Sequence, residues 1–353
     1  MNSLSEIVEV VIGVDTHVET HTAAVLDART GAVLDELTVP TTSRGYQDLV
    51  DLADTHGALR VWAVEGTGGH GAGLARHLAR GEEFVLELDR PERAKRRHGA
   101  KSDPLDAVRA AREAMSRPKL GTPRSGGDRQ ALSVLLAARR SAVDACAVAQ
   151  RQLFSLVIAA PEHLRAKLRG RKLPEMLTVA ARLRVQPGWD TESATTAATL
   201  RLLARRAQAL TAEAAELEKQ ILVIVRAWRP DLLNEFGVGP IVAATVLCAW
   251  SHPGRVRSEA AFAMLAGVAP IAANSGQVTT RYRLNRYGDR QLNRALHVVV
   301  LSRQRFHEPT KAYTDRRTTN GKTPRDIRRC LKRYIARDLY RLLEHGPHRL
   351  DEP

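Results

Sequence analysis

The feature that most constrains this chain is a run of apolar, mostly β-branched residues ending on a carboxylate: Val10-Val11-Ile12-Gly13-Val14-Asp15-Thr16-His17. Such a run reads as a buried strand, because branched side chains fit a pleated sheet covered on both faces. An Asp at its end is costly to bury unless something cationic pairs with it. Asp15 therefore either caps the turn into the next strand, Thr20 to Asp27, or faces a cation, for which a metal ion is the natural candidate.

Strands and helices alternate over residues 8–89. Strands are expected at Glu9–Asp15, Thr20–Asp27, Val33–Val39, Val61–Glu65 and Phe84–Leu88, and helices at Ser43–Thr55 and Gly71–Arg80. The first three strands follow one another without a helix, so they form an antiparallel meander, and the later βα units extend the sheet in parallel. That order fits a ribonuclease-H-like sheet better than a doubly wound one. A basic stretch from Pro91 to His98 precedes a helix that opens on Lys101-Ser102-Asp103-Pro104-Leu105-Asp106 and runs to about Met115. Pro118, Pro123, Gly126 and Gly127 mark a boundary.

Beyond it the chain reads as helical from Asp128 to about Ala160 and from Ser193 to Trp228. In the second helix Leu200, Leu203, Ala207, Leu210, Ala214, Leu217 and Ile221 recur at steps of three and four. That is the seam of a coiled coil or a helical hairpin, serving as a dimerisation arm or spacer or packing within its own domain. Further helices are expected at Ile241–Trp250, Ser258–Ala266, Asp289–Arg305 and Pro324–Leu343, with a loop from Pro270 to about Arg286. Three regions follow: 1–120, 121–230 and 231–353.

Charge separates these regions. Residues 1–120 hold 15 Lys and Arg against 19 Asp and Glu, a net of −4, and the remainder holds 39 against 20, a net of +19. An acidic part joined to a strongly basic one suggests carboxylate chemistry brought to a polyanion. No apolar stretch is long enough to cross a membrane. The segment Met1 to Glu9 has no basic n-region, so no secretory signal is expected. Cys146, Cys248 and Cys330 are too far apart for a metal knuckle and suit a reducing cytoplasm.

Glu65 ends its strand and is followed by Gly66-Thr67-Gly68-Gly69, which permits a sharp turn; no Gly-Lys-Ser/Thr follows, which excludes a Walker loop. Asp103 and Asp106, three apart at a helix start, share one side. They also suit simple capping, and the two roles are compatible. Together Asp15, Glu65, Asp103 and Asp106 make an oxygen-ligand set for a hard divalent cation at a phosphodiester. Phe236-Gly237-Val238-Gly239-Pro240 looks like a helix-hairpin-helix turn whose backbone N–H groups meet a phosphate. Ser275-Gly276, in a loop followed by Arg281, Arg283, Arg286 and Arg290, is either an ordinary turn or a hydroxyl presented to a phosphate. His297 lies on an apolar helix and reads as a packed residue.

These stretches carry a family resemblance. Gly13-Val14-Asp15-Thr16-His17, Glu65-Gly66-Thr67-Gly68, Lys101 to Ala107, Phe236 to Pro240, Ser258 to Phe262, Ala269-Pro270 with Ser275-Gly276, Arg283 to Arg286 with Gly288 to Arg290, and Arg329 to Arg333 run in family order. The chain resembles the DEDD-type transposases of the insertion-sequence one-ten family, related to the Piv DNA invertases. Val18 departs locally, since many relatives carry Lys there. The resemblance implies an α/β RuvC-like (ribonuclease-H-fold) catalytic domain over 1–120, a helical coiled-coil region over 121–230 and a mostly helical transposase domain over 231–353. It implies a metal-binding tetrad of Asp15, Glu65, Asp103 and Asp106, holding Mg2+ or Mn2+, and a nucleophile at Ser275 that forms a covalent phosphoserine link. Implied partners are donor and target DNA, a structured bridge RNA and further copies of the chain, as a dimer or tetramer, in the bacterial cytoplasm at the nucleoid. Aromatic content of only 4% agrees with a protein that holds backbones and delegates sequence to base pairing.

Overall fold

A computed structural model describes residues 4–88, 103–117, 121–272, 282–285 and 288–346. They fall into two compact units, Met1–Gly126 and Gly127–Pro353.

The first unit is a five-stranded sheet with helices on both faces. Strands β1 (Val10–Thr16), β2 (Thr20–Asp27) and β3 (Val33–Pro40) form the antiparallel meander, and β4 (Arg60–Glu65) and β5 (Val85–Leu88) add in parallel. The order β3-β2-β1-β4-β5 puts β1 in the centre, as its unbroken apolar run requires. Alternation along the strands sorts the side chains. Ile12, Val14, Trp62 and Val64 point to the face covered by α1 (Ser43–Asp54) and α2 (Ala72–Arg80). Val11, Val61 and Ala63 point to the face covered by α3 (Asp103–Ser116). The expected order of strands and helices is met, with ends shifted by a residue or two.

The second unit is helical apart from one small hairpin. Helices α4 (Gly127–Ala159) and α7 (Thr191–Trp228) run antiparallel. Arg139 meets Glu218 at 2.8 Å, and the Cys146 thiol donates to the Ala207 carbonyl at 3.4 Å. Leu200, Ala207, Ala214 and Ile221, seven apart, are all buried along the α7 seam. The seam closes on α4 of the same chain, and α5 (Glu162–Leu168) and α6 (Leu173–Ala181) close the far end of the arm. At its base, Leu132, Ile221 and Val225 join one core with α8 (Pro240–Trp250), α9 (Glu259–Leu265), α10 (Arg290–Phe306) and α12 (Pro324–His345). Helix α8 is apolar on nearly every side, as a helix at the centre of a core must be.

Three details depart from the sequence reading. The expected loop after Pro270 is pinned at its ends by a short antiparallel pair, β6 (Pro270–Ala272) and β7 (Tyr282–Leu284). Three residues per strand are too few for alternation to show. The segment before the Phe236–Pro240 turn is a single 3-10 turn, Pro230–Asn234, and not an α-helix. Helices α5, α6 and α11 (Glu308–Thr319) are additional to the expected set. Among the described residues no helix is long and apolar enough to cross a membrane.

Candidate metal centre

The end of β1 is where the first unit concentrates charge. Asp15 follows Gly13 by two residues, so both face α3. A β-carbon on Gly13 would lie 2.1 Å from the Ala107 carbonyl oxygen and 2.5 Å from the Ala111 nitrogen. The bare glycine therefore lets the backbone of α3 press against β1, and its first turn arrives beside Asp15. That turn carries Asp103 and Asp106.

Asp15, His17 and Asp103 offer ligand atoms that all lie within 4.8 Å of one another. The His17 Nε2 is 3.1 Å from the Asp15 Oδ2 and 3.5 Å from the Asp103 Oδ1. Asp15 is largely buried, at 14% exposure, whereas His17 and Asp103 are about half exposed. Burial pushes the Asp15 carboxyl above its ordinary range; His17 opposes this, and the nearby Asp106 and Asp103 charges add to it. Two acids and an imidazole within ligand distance of one another at a solvent-facing edge, with a third acid nearby, are an arrangement a divalent cation relieves.

The four expected carboxylates are not brought together equally. Asp106 lies outside the close cluster and accepts a 2.6 Å bond from Arg109, one helical turn along. Glu65 also lies outside it. Its backbone stands one residue beyond the paired Val14 and Val64 and on the α3 face of the sheet, with its carbonyl accepting from the Thr16 hydroxyl at 3.0 Å. Gly66, at φ +67°, turns the chain away directly after it. His17 is the residue the sequence reading did not assign. Its signal was the Asp-x-His spacing at a strand end, which puts two donors on one face. A carboxylate-rich set with one imidazole fits Mg2+ and, because nitrogen is a softer donor, fits Mn2+ at least as well.

In the second unit the turn at Phe236 opens with Gly237 at φ +81°, where a β-carbon would crowd Ser302 and Val299. Gly239 is the N-cap of α8, and no side chain caps that helix start. Arg290 is exposed at the start of α10. Ser275, Gly276, Arg281 and Arg286 lie outside the described residues, as do Lys101, Ser102 and the basic stretch 91–98, and Arg283 is described only as part of the β7 backbone.

Two family matches cover most of the segments named above. Residues 12–159 match the DEDD-type transposases of IS110 elements, described simply as a transposase. Residues 231–315 match the transposase IS116/IS110/IS902 family. The first spans Asp15, His17, Glu65, Asp103 and Asp106, and the second spans the Gly237–Gly239 turn, Ser275 and Arg290. None of the curated proteins matches the chain.

Proposed function

This chain belongs to the IS110 family of DEDD transposases, and on that premise we propose that it is an RNA-guided DNA recombinase with a covalent serine step. The observation that supports the metal-dependent part of this reading is the meeting of Asp15, His17 and Asp103 at the end of β1, inside the segment matched to DEDD transposases. In this reading Asp15, Glu65, Asp103 and Asp106 are the acidic tetrad, with His17 as an added ligand. Mg2+ or Mn2+ bound there supplies positive charge to the phosphoryl oxygens as negative charge builds on them.

The Ser275 oxygen forms a bond to phosphorus, the bond from phosphorus to a sugar oxygen breaks, and that oxygen takes up a proton in exchange for the one serine loses. A sugar hydroxyl from the second duplex later reverses the exchange and frees the serine. Joining two duplexes needs several such cuts, so the working form is a dimer or tetramer. A structured RNA pairs with donor and target DNA and supplies the sequence information. In the proposed division of labour, residues 1–120 hold the metal, 121–230 form the arm, and 231–353 hold nucleic acid and carry the serine. Gly237, Gly239, Gly276, Arg281, Arg283, Arg286 and Arg290 are the proposed backbone contacts.

The competing reading is a junction nuclease that uses the tetrad and water alone, which the metal cluster by itself would also serve. The two separate on the products. Wild-type protein with guide RNA, DNA and Mg2+ is expected to give a denaturant-resistant protein–DNA adduct. Ser275→Ala should lose the adduct and recombination but still assemble the complex, and Asp15→Asn should lose cleavage but keep RNA binding. Recombination by Ser275→Ala, or an adduct mapped to another residue, would replace the covalent reading with the nuclease one.

A further inference from the structure

The second unit contains a half-enclosed cavity of about 780 Å³ whose lining is cationic. Helix α10 contributes Arg290, Asn293 and His297, spaced to share one face. Helix α12 contributes Arg325, Arg328, Arg329 and Lys332 at i, i+3, i+4 and i+7, again one face. The mouth is held by a close backbone approach. Gly288 packs so tightly on Gly267 that a β-carbon on it would lie 2.3 Å from the Gly267 nitrogen. Asn285 donates to the Met264 carbonyl at 3.0 Å, and the Asp289 N–H donates to the Leu265 carbonyl at 2.6 Å. The cavity is therefore a built part of the fold.

Its charge is not balanced from within. Among the described residues none of the lining is acidic. Arg329 has a carboxylate partner in Asp326, at 3.1 Å. Among the described residues Arg290, Arg325, Arg328 and Lys332 have no acidic partner within ion-pair distance. Lys332 is partly buried and donates to the Asn293 Oδ1 at 2.8 Å. Asn293 is fixed in that orientation, because its amide donates to the Ala266 carbonyl at 2.8 Å and to the Gly267 carbonyl at 3.3 Å. His297, expected to be a packed residue, instead lines this cavity, and its Nδ1 is buried without a hydrogen-bond partner. Burial, then Lys332 and Arg328, hold that imidazole below its ordinary pKa, and burial likewise lowers the Lys332 amine. Gathering cations without acidic partners around a void is unfavourable unless an anion enters. Among the described residues no Phe, Tyr or Trp lines the void, so it is lined chiefly by cations and not by broad stacking surfaces. Forked guanidinium groups around the rim instead match phosphate oxygens.

We propose that this cavity seats the phosphodiester backbone of a nucleic-acid strand, with Lys332 and His297 as its floor and Arg290, Arg325 and Arg328 as its rim. The proposal rests on the reading of the chain as a DNA transposase and adds to it a place where a strand is gripped by its backbone. The test is binding of a DNA duplex and of a structured RNA by the full chain, across a range of salt concentrations. Lys332→Met should weaken binding about ten-fold and flatten the log–log salt slope by about one unit, as loss of one phosphate contact does. Its melting temperature should be unchanged or raised, because an uncompensated buried charge is removed. A purely structural lysine would give a lower melting temperature and an unchanged salt slope. Should Lys332→Met not fold, Arg325→Gln combined with Arg328→Gln, both exposed, should flatten the slope by about two units. Arg206→Gln, exposed on α7, controls for the loss of charge alone and should change the slope by less than any cavity variant.

Tight binding by wild type together with unchanged affinity and slope in the cavity variants overturns the seat and leaves the transposase reading standing. Wild type that binds neither DNA nor RNA at low salt overturns both. Competition by inorganic phosphate or a mononucleotide at micromolar concentration, dependent on Lys332, overturns the backbone assignment in favour of a free anion.

Discussion

A single methyl group at position 13 decides whether the first unit can bring its acids together. In Gly13→Ala the new carbon would meet the Ala107 oxygen and the Ala111 nitrogen, both backbone atoms that no rotamer change can move. Helix α3 would have to back away from β1, and Asp103 with it. Overpacking of this kind costs about 1–3 kcal/mol, which should appear as a lower denaturation midpoint. The sharper expectation is that Mn2+ binding, followed by titration, weakens together with DNA cleavage. A Gly13→Ala protein with full stability and full Mn2+ affinity would show that α3 is not held to β1 by this contact. The same residue shows why the site was only half legible. Asp15 and Glu65 announce themselves as acids ending apolar runs, and Asp103 and Asp106 as a pair at a helix start. That Gly13 admits the helix is a tertiary fact, and so is the arrival of Asp103 beside His17.

Strand β4 carries its own acid-sensitive clamp. Arg60 donates to both Glu83 oxygens and to the Asp54 Oδ1, and the Trp62 indole N–H donates to the Glu83 Oε2 at 2.8 Å. The hydrogen bonds from Arg60 hold the Glu83 carboxyl below its ordinary value of 4.5, against the opposing effect of burial. A carboxyl with a depressed folded-state pKa stabilises the fold above its unfolded value and loses that contribution as pH falls through the folded one. The first unit should therefore lose stability as pH drops below about 4.5. Glu83→Gln should remove this part of the acid dependence and cost about 2–3 kcal/mol at neutral pH, because Arg60 and Trp62 keep only weaker acceptors. Acid melts of the two proteins that superimpose would exclude the clamp. At this scale the sequence was most informative where an element is long or uniform: β1 and β4 are unbroken apolar runs, and α7 carries a sustained seven-residue period. Strands β6 and β7 are too short to show one, having three residues each, helix α5 is a seven-residue piece, and α11 buries only Thr310, so neither helix shows a sustained apolar face. The seam on α7 was visible, but its partner was not, because a heptad does not say whether the facing helix belongs to the same chain.

Across the whole molecule, the change from acidic to basic sequence near residue 120 falls close to the boundary between the two units at Gly126 and Gly127. On the proposed function, metal chemistry and polyanion binding would thus be carried by separately cored bodies. The aromatic content of 4% leaves little surface for reading unpaired bases by stacking. On the proposed function the protein would hold nucleic acid through phosphates, and its affinity for a structured guide RNA should then fall steeply with salt. If six or more phosphates are neutralised, the loss between about 50 and 200 mM salt is on the order of a thousand-fold. Backbone recognition also separates binding from sequence. Guide RNAs whose loop sequences are exchanged while their fold is kept should bind equally well, and the sites of recombination should move to the DNA that pairs with the new loops. A flat salt dependence would remove the phosphate-based account. Loss of affinity on exchanging loop sequences alone would mean that the protein itself reads those bases, and the guide would then be a specific ligand and no longer a replaceable address.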